Sequence, residues 1–232
     1  MKRLVTVVSI FTALAASASA ITPSGSLELT SKYIWRGTEC AAGPTLFPSA
    51  TIEAGNFSIG AWGAYAFDGS VRELDLSASY TLGNFTLGVT DYYYPTEAGP
   101  DSYFNWKSEE TGHLLEGTLT YSPKAFPLTL LWSTMFYGAD FNPDGKMAYS
   151  SYFEASYAYE FGEDNALSAT LGASVGKGFY TAYTESFSII NIALSYTKAL
   201  DLGSVSMPLS ASYIINPQME KSFLTATIGI AF

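Results

Sequence analysis

Apolar and polar residues alternate with a period of two from Ser24 to Phe232, and nowhere after Ile21 do about 18 apolar residues run together. Leu74, Leu76, Ala78, Tyr80 and Leu82 oppose Glu73, Asp75, Ser77, Ser79 and Thr81. Phe153, Ala155, Tyr157, Tyr159 and Phe161 oppose Tyr152, Glu154, Ser156 and Glu160, and Ile190, Ile192, Leu194 and Tyr196 oppose Asn191, Ser195 and Thr197. Successive side chains of a strand point to opposite faces, so alternation over whole segments predicts strands with one apolar and one polar face. A membrane-spanning helix is excluded over this stretch, and the 48% of hydrophobic residues must be spread along strands.

Twelve segments carry the pattern: 25–37, 44–54, 57–67, 71–82, 85–95, 113–122, 127–138, 148–161, 166–177, 187–199, 204–215 and 222–232. Tight connections at Gly55-Asn56, Gly83-Asn84, Pro123–Phe126, Gly162–Asn165 and Leu200–Gly203 alternate with longer ones at 38–43, 96–112, 139–147, 178–186 and 216–221, with Asp68-Gly69-Ser70 as a short exception. Gly-Asn marks a two-residue hairpin turn, because glycine supplies a positive φ without steric cost. The unit Gly55-Asn56-Phe57-Ser58-Ile59-Gly60 echoes in Gly83-Asn84-Phe85-Thr86-Leu87-Gly88. An even number of strands, with short turns at one end and longer loops at the other, predicts an all-β fold: a transmembrane antiparallel up-and-down β-barrel of about twelve strands. Both termini are then periplasmic. A secreted β-sandwich also alternates. Against it stand aromatic residues at the ends of the apolar faces (Tyr33/Trp35, Tyr65/Phe67, Tyr121, Tyr157/Tyr159) and a polar face of Ser, Thr, Gly and Ala with few Lys.

The first twenty residues read as a cleavable secretory signal: Lys2 and Arg3, then apolar Leu4 to Ala16, then Ala18-Ser19-Ala20. The expected organisation is a signal peptide over 1–20 and one barrel domain over 21–232. Removing the two basic residues takes the formal charge from −10 to −12. So acidic a chain is a poor partner for nucleic acid, whose phosphates need Lys and Arg. A single cysteine, Cys40, excludes an internal disulfide framework and lies too far from the cut for a lipoprotein anchor.

The segment Ser31-Lys32-Tyr33-Ile34-Trp35-Arg36-Gly37, followed by Ala42-Gly43-Pro44, resembles the opening motif of the TorF-type porin family of small Gram-negative outer-membrane β-barrel proteins. The resemblance continues through Gly60-Ala61-Trp62-Gly63 and Glu73-Leu74-Asp75-Leu76 and fades near Tyr94-Pro95. It implies a channel in the outer membrane. The last strand, with Leu224, Ala226, Ile228, Ile230 and Phe232 on one parity, resembles the signal by which the barrel-assembly machinery recognises such proteins. The expected partners are outer-membrane lipid, that machinery, and small solutes or ions. Cys40 and the acidic loop 96–112 are not part of the family pattern.

If the apolar parity faces lipid, Glu28, Glu53, Glu73, Asp75, Glu116, Glu154 and Glu160 face the lumen, with Lys32 and Arg36 as the bases. A basic residue facing lipid at mid-membrane costs about 2–4 kcal/mol, which explains the segregation. An acidic lumen predicts a passive channel for small hydrophilic solutes that favours cations. The competing reading pairs Lys32 and Arg36 with nearby acids and ties the wall together. The two can coexist, because seven acids exceed two bases. A separate alternative is a structural or surface-binding barrel whose small lumen is plugged by its own side chains. Arg72 and Lys198 fall on the lipid parity at strand ends, where they can snorkel. Asp91 lies deeper on that parity, and a bulge near Thr90 would turn it inward.

Asp140-Phe141-Asn142-Pro143-Asp144-Gly145 begins like a calcium loop, but Ser151 stands at the twelfth position and the sequence also reads as a turn. Loop 96–112 carries Tyr103, Phe104 and Trp106; it either folds into the mouth, binds a ligand or packs as a lid. The lone His113 excludes a multi-histidine metal site. With Ser108, Glu109 and Glu110 it leaves a rim hydrolase as a third, minor reading, without an oxyanion-hole motif. No cofactor, metal or catalytic residue is expected. The sequons at Asn56 and Asn84 fall at tight turns, and Gly172 to Gly178 is one residue short of a phosphate loop.

Overall fold

The computed structural model of the chain describes residues 20–95, 103–201 and 205–232. The signal-peptide reading, residues 96–102 of the long loop and part of the turn after Leu200 lie outside the described residues. Fourteen strands follow in order: β1 (Ile21–Thr30), β2 (Tyr33–Trp35), β3 (Thr38–Ala41), β4 (Thr45–Ala54), β5 (Phe57–Ala66), β6 (Arg72–Leu82), β7 (Phe85–Tyr93), β8 (His113–Tyr121), β9 (Leu128–Gly138), β10 (Ser151–Phe161), β11 (Asn165–Val175), β12 (Phe187–Asp201), β13 (Ser206–Asn216) and β14 (Lys221–Ala231). Twelve of them form a closed antiparallel barrel in which each strand pairs with its neighbours in sequence and β14 returns to β1. The seam pairs Ser26 with Ala231 through Thr30 with Thr227. Two backbone bonds between Gly25 and Phe232, 2.9 and 3.0 Å, extend it. Closure leaves no strand edge unpaired, which a hydrocarbon solvent requires.

The distribution of side chains is inverted relative to a water-soluble protein. Leu82, Leu87, Leu194, Leu224, Ile52, Ile228 and many aromatics are exposed, whereas Glu73, Asp75, His113, Glu116, Asp140, Asn191 and Asn216 are buried. Lipid rather than water is the solvent for such an outer face. Tyr65 and Phe67 at one end, and Phe85, Tyr121, Phe126, Tyr157 and Tyr159 at the other, place aromatic rings at both borders of the apolar band. The inner face carries a lattice of small hydroxyls: Ser26 meets Ser49 at 2.7 Å, Thr81 meets Thr86 at 3.0 Å and Thr197 meets Ser210 at 3.0 Å. At the turn end, Gly55 and Gly83 both take φ +63° between directly paired Ala54/Phe57 and Leu82/Phe85, as the two-residue hairpins require.

Three expectations are corrected. The segment 25–37 is not one strand: β1 ends at Thr30, and residues 33–41 form a separate two-stranded hairpin, β2–β3, outside the barrel ladder. The register of β7 runs unbroken through Thr90 on both sides, so no bulge turns Asp91 inward. The bulges lie elsewhere, between Leu115 and Glu116 in the β8–β9 pairing and between Gly172 and Ala173 in the β11–β12 pairing. The second adds a residue at Ile190. Although Ile190 falls on the apolar parity, it is fully buried against Tyr152 and Tyr180.

Candidate functional site: the lumen and its inner hairpin

Strand parity places all seven sequence-predicted acids on the inner face. Glu28 lies between exposed Leu27 and Leu29. Glu53 and Glu160 lie exposed at the turn end. Glu73, Asp75 and Glu116 are buried toward the loop end, with half-buried Glu154 opposite Gly172. The two bases are placed by another route. Lys32 and Arg36 sit on the inner hairpin, not on β1.

The hairpin turns at Arg36-Gly37, between paired Trp35 and Thr38. Both tip residues have positive φ, +50° and +77°, the requirement of a type I′ turn. Glycine at 37 meets a second demand. A Cβ there would lie 1.9 Å from the Ile190 carbonyl oxygen, so the tip seats against β12 only without a side chain. The Gly37 carbonyl accepts from Asn216 Nδ2 at 3.1 Å, which fixes the tip to β13.

Arg36 then crosses to β8. Its Nη1 lies 2.6 Å from Glu116 Oε1 and its Nη2 2.9 Å from Oε2, a bidentate pair whose side chains are 10% and 0% exposed. Tyr92 donates to Glu116 Oε2 at 2.8 Å, and Arg36 also donates to the Tyr180 hydroxyl. Aromatic faces enclose the guanidinium: Cζ is 4.4 Å from the Trp35 centroid and 4.6 Å from that of Tyr152. Tyr152 is held by donation to Glu154 at 2.5 Å and by Asn191 Nδ2 at 3.1 Å, and it lies flat across Gly172, where any Cβ would meet its ring. Lys32 pairs with Glu39 at 2.9 Å within the hairpin itself. At the hairpin base, Tyr33 packs on Phe47 and Trp62 and donates to Glu73 Oε2 at 3.0 Å. Cys40 packs beside this cluster, and burial, with the Glu73 charge adding to it, pushes its thiol up to about 12.

The loop-end half of the lumen is thus occupied by a latched hairpin and an aromatic cluster, while the turn-end half is lined by hydroxyls and acids. Tyr92, Tyr152, Tyr180, Asn191 and Asn216 were not singled out from sequence. Tyr152 and Asn191 carried a signal, as large uncharged polar residues on a parity that apart from its acids is mostly Ser, Thr, Gly and Ala. Tyr180 lies in the loop between β11 and β12, where no periodicity reports on it.

The described part of the long loop packs as a lid on the outer wall. His113, on the outward parity of β8 and fully buried, sits with Nδ1 2.9 Å from both Asp91 oxygens and Nε2 2.7 Å from the Tyr103 carbonyl. Both ring nitrogens are thereby engaged, one by the Asp91 carboxylate and the other by the Tyr103 carbonyl. Trp106 stacks on the ring at 3.9 Å. The nitrogen that would take a proton from a serine therefore faces a carbonyl. Asp140 is likewise consumed: its carboxylate accepts from Ser150 N at 2.7 Å and Ser150 Oγ at 2.6 Å, and Asn142 Oδ1 caps Asp144 and Lys146, so the calcium-like sequence is a turn.

No protein-family model matches the chain, and no curated protein matches it. Among solved structures it is similar to the NanC porin, at 8% identity over 91% of this chain and 99% of that one, with a TM-score of 0.49. It is also similar to a chain from work on in-meso crystallization of membrane proteins, at 10% identity, 90% and 83% coverage and a TM-score of 0.50. An outer-membrane channel from Pseudomonas putida F1 matches at 11% identity, 93% and 97% coverage and a TM-score of 0.46. At such identities the likeness is one of fold alone and adds no role to the closed antiparallel barrel described above.

Proposed function

We propose that this protein is an outer-membrane porin of the TorF type, a passive channel for small hydrophilic solutes that favours cations and is narrowed by its own first loop. The observation that carries the reading is the inner face, where acids and hydroxyls line the wall and the Arg36 guanidinium that reaches it is neutralised by Glu116. Glu28, Glu53, Glu73, Asp75, Glu116, Glu154 and Glu160 are the pore-lining acids, with Lys32 and Arg36 on the constriction. Rings of carboxylates raise the local cation concentration and exclude anions. The termini face the periplasm, and β14 with Phe232 is the element the barrel-assembly machinery would read. The test is a planar-bilayer measurement under a KCl gradient, with a reversal potential on the K⁺ side as the expected result. Chloride preference would overturn the cation reading.

The latch itself favours a second reading, a plugged structural barrel whose loops are the working surface. Liposome swelling with sugars of graded size separates the two. Swelling by the smallest sugars supports the channel; no swelling by the wild type or by a variant with the latch removed supports the plug.

A further inference from the structure

β6 presents Glu73 and Asp75 on the same inner face, two residues apart, about 6.7 Å along the strand. They are 2% and 8% exposed. Among the described residues the ion pairs are Lys32–Glu39, Arg36–Glu116, Lys107–Glu110 and His113–Asp91, so no base neutralises either acid. Glu73 receives the hydroxyls of Tyr33 and Tyr94. Its Oε1 and the Oδ1 of Asp75 are buried with no donor in reach. Burying a carboxylate without a counter-charge is among the costliest arrangements a fold can hold, and here two stand side by side.

We propose that Glu73 and Asp75 hold a hard divalent cation, of the calcium class, between β6 and the base of the inner hairpin. An oxygen-only pair of donors selects a hard ion. Calcium–oxygen distances of about 2.3–2.6 Å allow two ligand oxygens at most roughly 5 Å apart, a limit that side chains spaced as these are can meet. The Tyr33 and Tyr94 hydroxyls donate to Glu73 and hold its side chain in place beside Asp75. Among the described residues no third His, Cys, Asp or Glu joins the pair, so water completes the shell and the affinity falls in the weak range, a dissociation constant on the order of 10⁻⁴–10⁻³ M. A bound ion ties the wall to the hairpin through Glu73 and Tyr33. The site is independent of whether the lumen conducts, and its test needs no conductance.

The test uses the full barrel folded in zwitterionic detergent, stripped with EDTA and desalted at pH 7.5. Terbium is the calcium stand-in, because Trp62 pairs directly with Asp75 across β5–β6 and can sensitise its emission. A saturable signal displaced by millimolar calcium is expected. Asp75→Asn and Glu73→Gln should each weaken it at least tenfold, and Glu163→Gln, a turn residue outside the site, should not change it. Heat-modifiable gel mobility reports folding for each variant. A wild type with no saturable emission, or one displaced by K⁺ as readily as by calcium, overturns the proposal. So does a signal that survives in both folded variants.

Discussion

Replacing Glu116 with Gln removes one charge from the Arg36 latch and keeps its shape. The pair is almost wholly buried, so the guanidinium would be left among Trp35, Tyr152 and Tyr180 without its anion. Removing one partner of a buried pair costs about 3–5 kcal/mol. At about 1.4 kcal/mol per factor of ten, the ratio of seated to released hairpin falls between roughly 10² and a few times 10³. Cys40, the only cysteine, lies on β3 of that hairpin and reports its state. With the thiol pushed up to about 12, the thiolate fraction of the seated form at pH 8 is on the order of 10⁻⁴, against about a quarter for an ordinary thiol. A released hairpin therefore reacts with maleimide on the order of 10³-fold faster than a seated one. Where release carries the wild-type labelling, Glu116→Gln should label at least about 100-fold faster, as long as the released fraction stays small. The sign can be checked by pH. A raised pKa suppresses the thiolate below about 12, so the seated form gains reactivity only toward that pH, whereas the released form titrates near 8.5. Single-channel traces of the variant should show longer or more frequent openings. A labelling rate within a few-fold of wild type, in a protein that keeps its folded gel mobility, would refute the latch.

Gly37→Ala forces a Cβ to within 1.9 Å of the Ile190 carbonyl at a residue with φ +77°, and it should release the hairpin as Glu116→Gln does; unchanged Cys40 labelling would count against the seat on β12. His113→Ala leaves Asp91 unpaired on the lipid-facing parity and removes the ring under Trp106. A loss of about 3–5 kcal/mol and faster tryptic cleavage after Lys107 are expected; unaltered cleavage kinetics would show that the lid does not depend on the pair. Leu194→Arg should cost about 2–4 kcal/mol in folding into lipid vesicles, while Ser195→Arg next to it, on the inner parity, should cost far less; equal costs in urea titrations would contradict the assigned faces.

The Asp91–His113 pair shows how a parity rule fails informatively. A charge on the lipid face predicted a local bulge, because moving Asp91 inward would remove the penalty. The chain keeps its register instead and removes the penalty by pairing and covering the charge, with a partner 22 residues away and a lid from the loop between them. Periodicity reports on a strand's own faces. It carries no information about which distant loop lies over them. Ile190 is the complementary case: parity put it outside, and one extra residue in β12 turned it into the packing under Tyr152 and Tyr180.

The alternation alone determined the barrel. Twelve segments with one apolar face each have few ways to bury every backbone group in lipid, and a closed antiparallel sheet is the one that the turn pattern permits. It also predicts which acids face inward wherever a strand keeps its register, since odd and even positions then alternate between the two faces. The path of residues 31–44 was decided by the tertiary structure. Tyr33 and Trp35 look like the aromatic end of a strand, and the same residues become the inner hairpin because Glu116, Ile190 and Asn216, contributed by three other strands, provide a counter-charge, a seat and a hydrogen bond at one point of the lumen. Contacts of that kind join residues 80 to 179 positions apart, and no local pattern encodes them. The amino-acid sequence therefore settles the wall of this barrel, and the fold alone settles what stands inside it.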